Sequence, residues 1–229
     1  MSLSRRIARK LVNYDDPKSP ASRVRAKRAG HLMALMESAS LNKGSVRILD
    51  VGGNHRYWNV VPTETLERLN VEVTLLNLPG SPTAKLPKRF TKVEGDATNL
   101  PFDDHHFDIA HSNSVVEHVG SWEQMMAFAS EIRRVAPMYL VQTPHFWFPV
   151  EPHAMTPFLH WLPEPLRVAL VRRVALGFWQ KSPSVEDAMR LVQGTHLLDE
   201  SMMRALFPDG HMELERMLGL PKSIIMIRT

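Results

Sequence analysis

Residues 93–120 read VEGDATNLPFDDHHFDIAHSNSVVEHVG, and the alternation within them decides the fold class. Phe90 to Val93 predicts a short strand that stops at Gly95-Asp96. Phe107 to Ser112 predicts another, followed by a helix from about Val115. Short apolar runs that alternate with polar turns and helical segments belong to a parallel sheet with both faces covered.

The same pattern extends in both directions. Upstream, Val46, Ile48, Leu49 and Val51 form an apolar run broken at Gly52-Gly53, as a buried parallel strand entering a turn would be. Val71 to Leu76 follows as a strand and closes at Pro79-Gly80. Downstream, Met138 to Gln142 reads as a fifth strand ended by Thr143-Pro144. Residues 145–185 then leave the repeat. They are rich in proline and aromatics, with Phe146, Trp147, Phe158, Trp161 and Trp179 among them, and read as an insertion that covers a pocket. Asp199 is placed to cap a helix through Leu206, and Met212 to Met217 and Ser223 to Ile227 read as an antiparallel pair. The expected fold is therefore α/β: a Rossmann-like, doubly wound sheet, mostly parallel, with an antiparallel C-terminal strand.

A chain of 229 residues, 44% hydrophobic and 23% charged, can bury one full core. We expect a single domain over residues 31–229, preceded by a basic arm over residues 1–30 that holds Arg5, Arg6, Arg9, Lys10, Arg23, Arg25, Lys27 and Arg28. With a net charge of only +4, that run reads as a solvated face rather than a nucleic-acid footprint. The absence of cysteine removes disulfides, thiolate metal sites and cysteine nucleophiles. No stretch has the form of a signal peptide or of a bilayer span of roughly 18 apolar residues, so the expected location is cytoplasmic.

Gly-Asp-Ala, Leu-Pro-Phe, Phe-Asp and Glu-His-Val follow one another within residues 93–120, some forty residues after ILDVGGNHRYW at 48–58. In this combination the chain resembles the type 11 group of class I S-adenosylmethionine-dependent methyltransferases. The resemblance implies S-adenosyl-L-methionine as the cofactor. It places Asp50 and Gly52 against the methionine part, with Gly53 and Asn54 completing the turn, and Asn77 and Leu78 at the ribose. Asp96 would accept from the adenine amine beside the N–H of Ala97, and the backbone at Ser112 and Asn113 would meet the methionine amine. Two positions depart from the family. Asn54 and Arg56 replace later glycines of the turn, although asparagine tolerates left-handed backbone, and Asn77 replaces a ribose-gripping acid and so lacks charge assistance.

The implied chemistry is methyl transfer, with O-methylation of a small-molecule, glycan-like or lipid-like acceptor as the expectation. Transfer from a sulfonium depends on alignment and a dry pocket, and a base is needed only for a protonated acceptor. His118, His145 and His153 are the candidates for that proton, each with a plain structural reading beside it. Glu117 has one too, as an acid in a helix's first turn. No metal is expected, since Glu151, His153 and His160 match no standard zinc spacing. Leu159 to Trp179, with Arg167, Arg172 and Arg173, reads as an amphipathic helix packed on the domain, with a peripheral membrane contact left open. Two other readings stay on the table. One is a catalytically degenerate binding or regulatory protein of the same fold. The other is a nicotinamide dehydrogenase, which would lack its Gly-x-Gly-x-x-Gly turn.

Overall fold

A computed structural model describes residues 20–41, 43–81 and 85–229, with side chains from residue 26 onward. Arg5, Arg6, Arg9 and Lys10 of the expected arm lie outside the described residues, as do the side chains of Arg23 and Arg25.

The main sheet takes in β1 (Val46–Val51), β2 (Val71–Asn77), β3 (Phe90–Glu94), β4 (Ile109–Asn113) and β5 (Met138–Pro144). A two-residue hairpin, β6 (Val150–Glu151) with β7 (Thr156–Pro157), stands apart from it. The C-terminal strands β8 (His211–Met217) and β9 (Leu220–Arg228) complete the main sheet. Its order is β3-β2-β1-β4-β5-β9-β8, with β1 to β5 parallel and β9 antiparallel to both β5 and β8. The β8–β9 hairpin turns on Leu218 and Gly219, both at positive φ, which matches the right-handed twist of the strands.

Helices cover both faces because alternate strand residues point to opposite sides. On one face Ile48, Val73, Ile109, Leu140 and Ile225 pack beneath Leu32, Leu35 and Met36 of α1 (Pro20–Ser40), together with Tyr57 and Trp58. On the other, Leu49, Val51, Ala110 and Val141 pack on α3 (Trp122–Val135) and on Met203 and Leu206 of α6 (Glu200–Leu206). Helix α3 buries Met125, Phe128, Ala129, Ile132 and Val135, the 3–4 spacing of one helical face. The short α2 (Thr63–Arg68) links β1 to β2, while α4 (Glu164–Arg173) and α5 (Val185–Gln193) pair through Val171, Ala188 and Val192.

Several expectations shift. The arm boundary at residue 30 falls inside α1. Arg28 is buried, donating to Glu215 through Nε at 3.0 Å and Nη2 at 2.6 Å, and to Gln142 at 2.9 Å. The helix expected from Val115 is only a 3-10 turn, Val116–His118. Gly120, at φ +118, interrupts the chain, and Ser121 and Gln124 form a capping box that starts α3 at Trp122. Strand β5 runs on through Thr143-Pro144, because its last residues pair with β9 across an antiparallel edge. The departure from the βα repeat at 145–185 also extends further, since α5 packs on α4 beyond residue 185.

Candidate active site

Open α/β sheets bind ligands outside the carboxyl ends of their strands. Here those ends align. Val51 stands opposite Ser112, and Asn113 opposite Gln142, across β1, β4 and β5. The turn after β1 takes its left-handed residue at Gly52, φ +68, where a Cβ would come within 2.5 Å of Val115. A Cβ at Gly53 would overlap the Asp50 carboxylate. Asn54 is extended rather than left-handed, at φ −138, and its side chain accepts from the Arg56 N–H to cap the 3-10 turn His55–Val60. That turn occupies the place of the later glycines.

Asp50 is buried, with Oδ2 accepting from Trp58 Nε1 at 2.9 Å and Oδ1 2.7 Å from His111 Nδ1. It therefore lies beneath the turn, with both oxygens held by protein groups. Asn77 ends β2 and donates from Nδ2 to the Gly53 carbonyl at 3.0 Å, while Leu78 beside it is 64% exposed. Asp96 lies past β3, with Oδ1 accepting from both the N–H and the hydroxyl of Thr98 at 2.8 Å. These bonds hold its carboxyl below the usual range, and Oδ2 has no hydrogen bond among the described residues. Ala97 is half-buried against the core. The Ser112 hydroxyl is fully buried and has no partner among the described residues, and the Asn113 side chain accepts from Arg28.

Beyond β4 the chain builds a second group. Glu117 is fully buried; Oε2 accepts from the Thr143 hydroxyl at 2.9 Å, and Oε1 has no partner among the described residues. Burial pushes its carboxyl up to about 7. Its place in a three-residue turn ahead of α3 removes the helix-dipole reading. His118 donates from Nδ1 to the Gly194 carbonyl at 2.8 Å, and burial holds its imidazole below the ordinary value. The His153 ring lies 4.7 Å from that of His118, edge to face. Its Nδ1 is 2.8 Å from Glu151 Oε1. Burial alone would lower His153, but the Glu151 carboxylate outweighs it and leaves the imidazole raised. Burial likewise raises Glu151, which His153 and the Ala154 N–H more than offset, leaving it lowered.

The structure thus brings His118 and His153 together with Glu117 and Glu151, and leaves His145 apart. His145 Nδ1 accepts from the Trp147 N–H at 3.0 Å, and its Nε2 lies 3.6 Å from Glu200. His160 is directed to the Phe146 carbonyl at 2.8 Å, away from His153. A cleft of about 200 Å³, lined by Phe146, Glu151, His160, Arg167, Trp179 and His196, shares Glu151 with the histidine group. Sequence reasoning gave Glu117 no chemistry. The signal available was its position directly before His118 at the end of β4.

Residues 59–137 match the family model described as a methyltransferase domain, type 11. Over this stretch the chain is similar to a methyltransferase domain. S-adenosylmethionine is the methyl donor of this family. The match opens at residue 59, directly after the 52–58 turn in which this chain departs from the family's glycines. Among solved structures, the CurJ carbon methyltransferase is similar at 13% identity and a TM-score of 0.59, over 95% of this chain and 56% of its own. A methyltransferase from Aquifex aeolicus gives 12% and 0.47, over 96% and 97% of the two chains. One from Methanosarcina mazei gives 14% and 0.45, over 81% and 92%. At such identities the first likeness supports the fold. A comparison with curated protein sequences returned no match.

The strand ends fit the donor unevenly. Asp96, with one oxygen unbonded among the described residues, suits an adenine amine, and the buried Ser112 hydroxyl, likewise without a partner among them, lies near the end of β4. One N–H of the Asn77 amide is used on Gly53, so its oxygen and its second N–H remain for a ribose hydroxyl. No helix among the described residues is long and apolar enough to cross a membrane.

Proposed function

We propose that this chain methylates a hydroxyl of a small-molecule or glycan-like acceptor, held between the strand ends and the 145–185 segment. The observation that carries this reading is the His118–His153 pair. His118 follows β4, and His153 is bound to Glu151, which also lines a cleft of aromatic and charged side chains. When bound, S-adenosylmethionine supplies the methyl group as a sulfonium electrophile. Asp96 would hold the adenine amine, Asn77 Oδ1 a ribose hydroxyl, and the backbone at Ser112 and Asn113 the methionine amine. Asp50 and Gly53 would act through the shape of the turn, since the carboxylate is committed to Trp58 and His111.

As the acceptor oxygen bonded to the methyl carbon, the carbon–sulfur bond would break to leave S-adenosylhomocysteine, and the hydroxyl proton would have to leave. His153 Nε2 is the available base, because Nδ1 is engaged with Glu151, whose carboxylate offsets the imidazolium charge. Phe146, Leu159 and Trp179 give the cleft an apolar wall against which an acceptor could be aligned. A structure with S-adenosylhomocysteine bound tests this placement. The sulfur should face the His118–His153 pair, and a sulfur directed away from both histidines would contradict it.

A second reading, a protein of this fold that binds without transferring, is favoured by the altered turn and the partly committed Asn77 amide. An Asp96→Ala variant that loses S-adenosylhomocysteine binding yet keeps full function in the cell would favour it over the enzyme.

A further inference from the structure

Glu117, His118 and His153 each offer a ligand atom within 4.8 Å of the other two. Three features mark this as more than a chance meeting of polar groups. The first is the pair of histidine orientations. His118 Nδ1 is bound to the Gly194 carbonyl and His153 Nδ1 to the Glu151 carboxylate, each at 2.8 Å, so Nε2 is the nitrogen left free on both rings. A ring N–H fixed by a backbone carbonyl or a carboxylate is the outer support that metal-ligating histidines usually carry. The second is Glu117, fully buried, with one oxygen anchored by Thr143 and the other without a partner among the described residues. An unpaired carboxylate oxygen out of water is costly unless it meets a cation or a proton. The third is the donor set itself. Two imidazoles and one carboxylate are a three-ligand set for a zinc-like ion with one position left open.

We propose that Glu117, His118 and His153 bind one divalent transition-metal cation of the zinc class at the carboxyl ends of β4 and β5. Zinc bonds of about 2.0–2.1 Å put tetrahedral ligand atoms roughly 3.3 Å apart, so the three side chains, whose donor atoms lie within 4.8 Å of one another, need to draw in on binding. Glu151 would serve as the outer support of His153, not as a ligand.

The binding itself does not depend on the methyl-transfer reading; only the cation's role rests on it. In that role the open position would take the acceptor hydroxyl, which the cation would polarise. The hydroxyl proton would then pass to solvent instead of to His153, and the C–O bond would form as before. No close sequence spacing announces the site, because Glu117 and His118 lie far along the chain from His153 and meet only through the fold.

The test is titration of the chelator-treated full-length protein with cobalt(II), read by the visible absorption of tetrahedral cobalt, alongside S-adenosylhomocysteine calorimetry. One equivalent of cobalt should bind with that absorption. His153→Gln should abolish it, His106→Gln on the exposed surface should not change it, and Glu151→Gln should weaken affinity by about 10- to 100-fold. A wild-type protein that takes up no cobalt, or a His153→Gln protein that binds it as the wild type does, overturns the proposal. If cobalt fails while S-adenosylhomocysteine binds, the cation site falls and the donor reading stands; the reverse result separates them the other way.

Discussion

Single residues in this chain do work that their sequence neighbours do not disclose. Gly53 is held to glycine by the Asp50 carboxylate packed against its Cα. Gly53→Ala should therefore lower stability by about 1–3 kcal/mol, the range for overpacking a filled site, and thermal melting reads it. Arg28 belongs to a basic run that looks solvated, yet it is buried against Glu215, 187 residues away. Arg28→Ala would leave that carboxylate buried and unpaired, at a cost of about 3–5 kcal/mol by chemical denaturation. A loss under 1 kcal/mol would show that the pair is hydrated. No local pattern could have marked Arg28, since its partners Asn113, Gln142 and Glu215 are brought to it only by strand order.

Among elements, the strands were the most legible part, because a buried parallel strand is an apolar run bounded by turn residues. The helix after β4 was misplaced because Val115, Val116 and Val119 continue an apolar pattern through a segment that Gly120 and the Ser121 cap interrupt. Ser121→Ala should cost about 1 kcal/mol, measurable as a fall in the urea midpoint. The α4–α5 pair was hidden in the proline-rich stretch, and its core is only Val171, Ala188 and Val192. Amides of α4 and α5 should accordingly exchange with deuterium well before those of β1, β4 and β5. Equal protection would mean that the cleft wall unfolds only with the whole domain.

For the molecule as a whole, the C-terminal hairpin closes the sheet, and Asp209 ties it down by accepting from the Tyr139 hydroxyl at 2.7 Å and from Arg228 at 2.6 Å. Burial raises the Asp209 carboxyl, but these two donors outweigh it and leave it below its ordinary value of 3.8. A depressed folded value means the contribution is present above 3.8 and lost as pH falls through the folded value. Asp209→Asn should thus be less stable than the wild type at pH 7, by a modest margin given the partial exposure of the pair, and the gap should close in acid. A gap that persists unchanged at low pH would put the effect elsewhere.

At the same scale, the order β3-β2-β1-β4-β5-β9-β8 sets the carboxyl ends of the parallel strands side by side, and His118 follows from one of them. The turn after β3 at Gly95-Asp96-Ala97 was readable from the sequence, whereas the shape of the turn after β1 was not, because Trp58 and His111 claim the Asp50 carboxylate only once the chain has folded. On the proposed function, these strand ends hold S-adenosylmethionine despite the altered turn. Calorimetric titration of the purified protein with S-adenosylhomocysteine tests it most directly. One site per chain is predicted, weakened about tenfold in Asp96→Ala, the loss of roughly one hydrogen bond to a charged group. No binding at millimolar ligand, or an Asp96→Ala protein that binds as the wild type does, would contradict it.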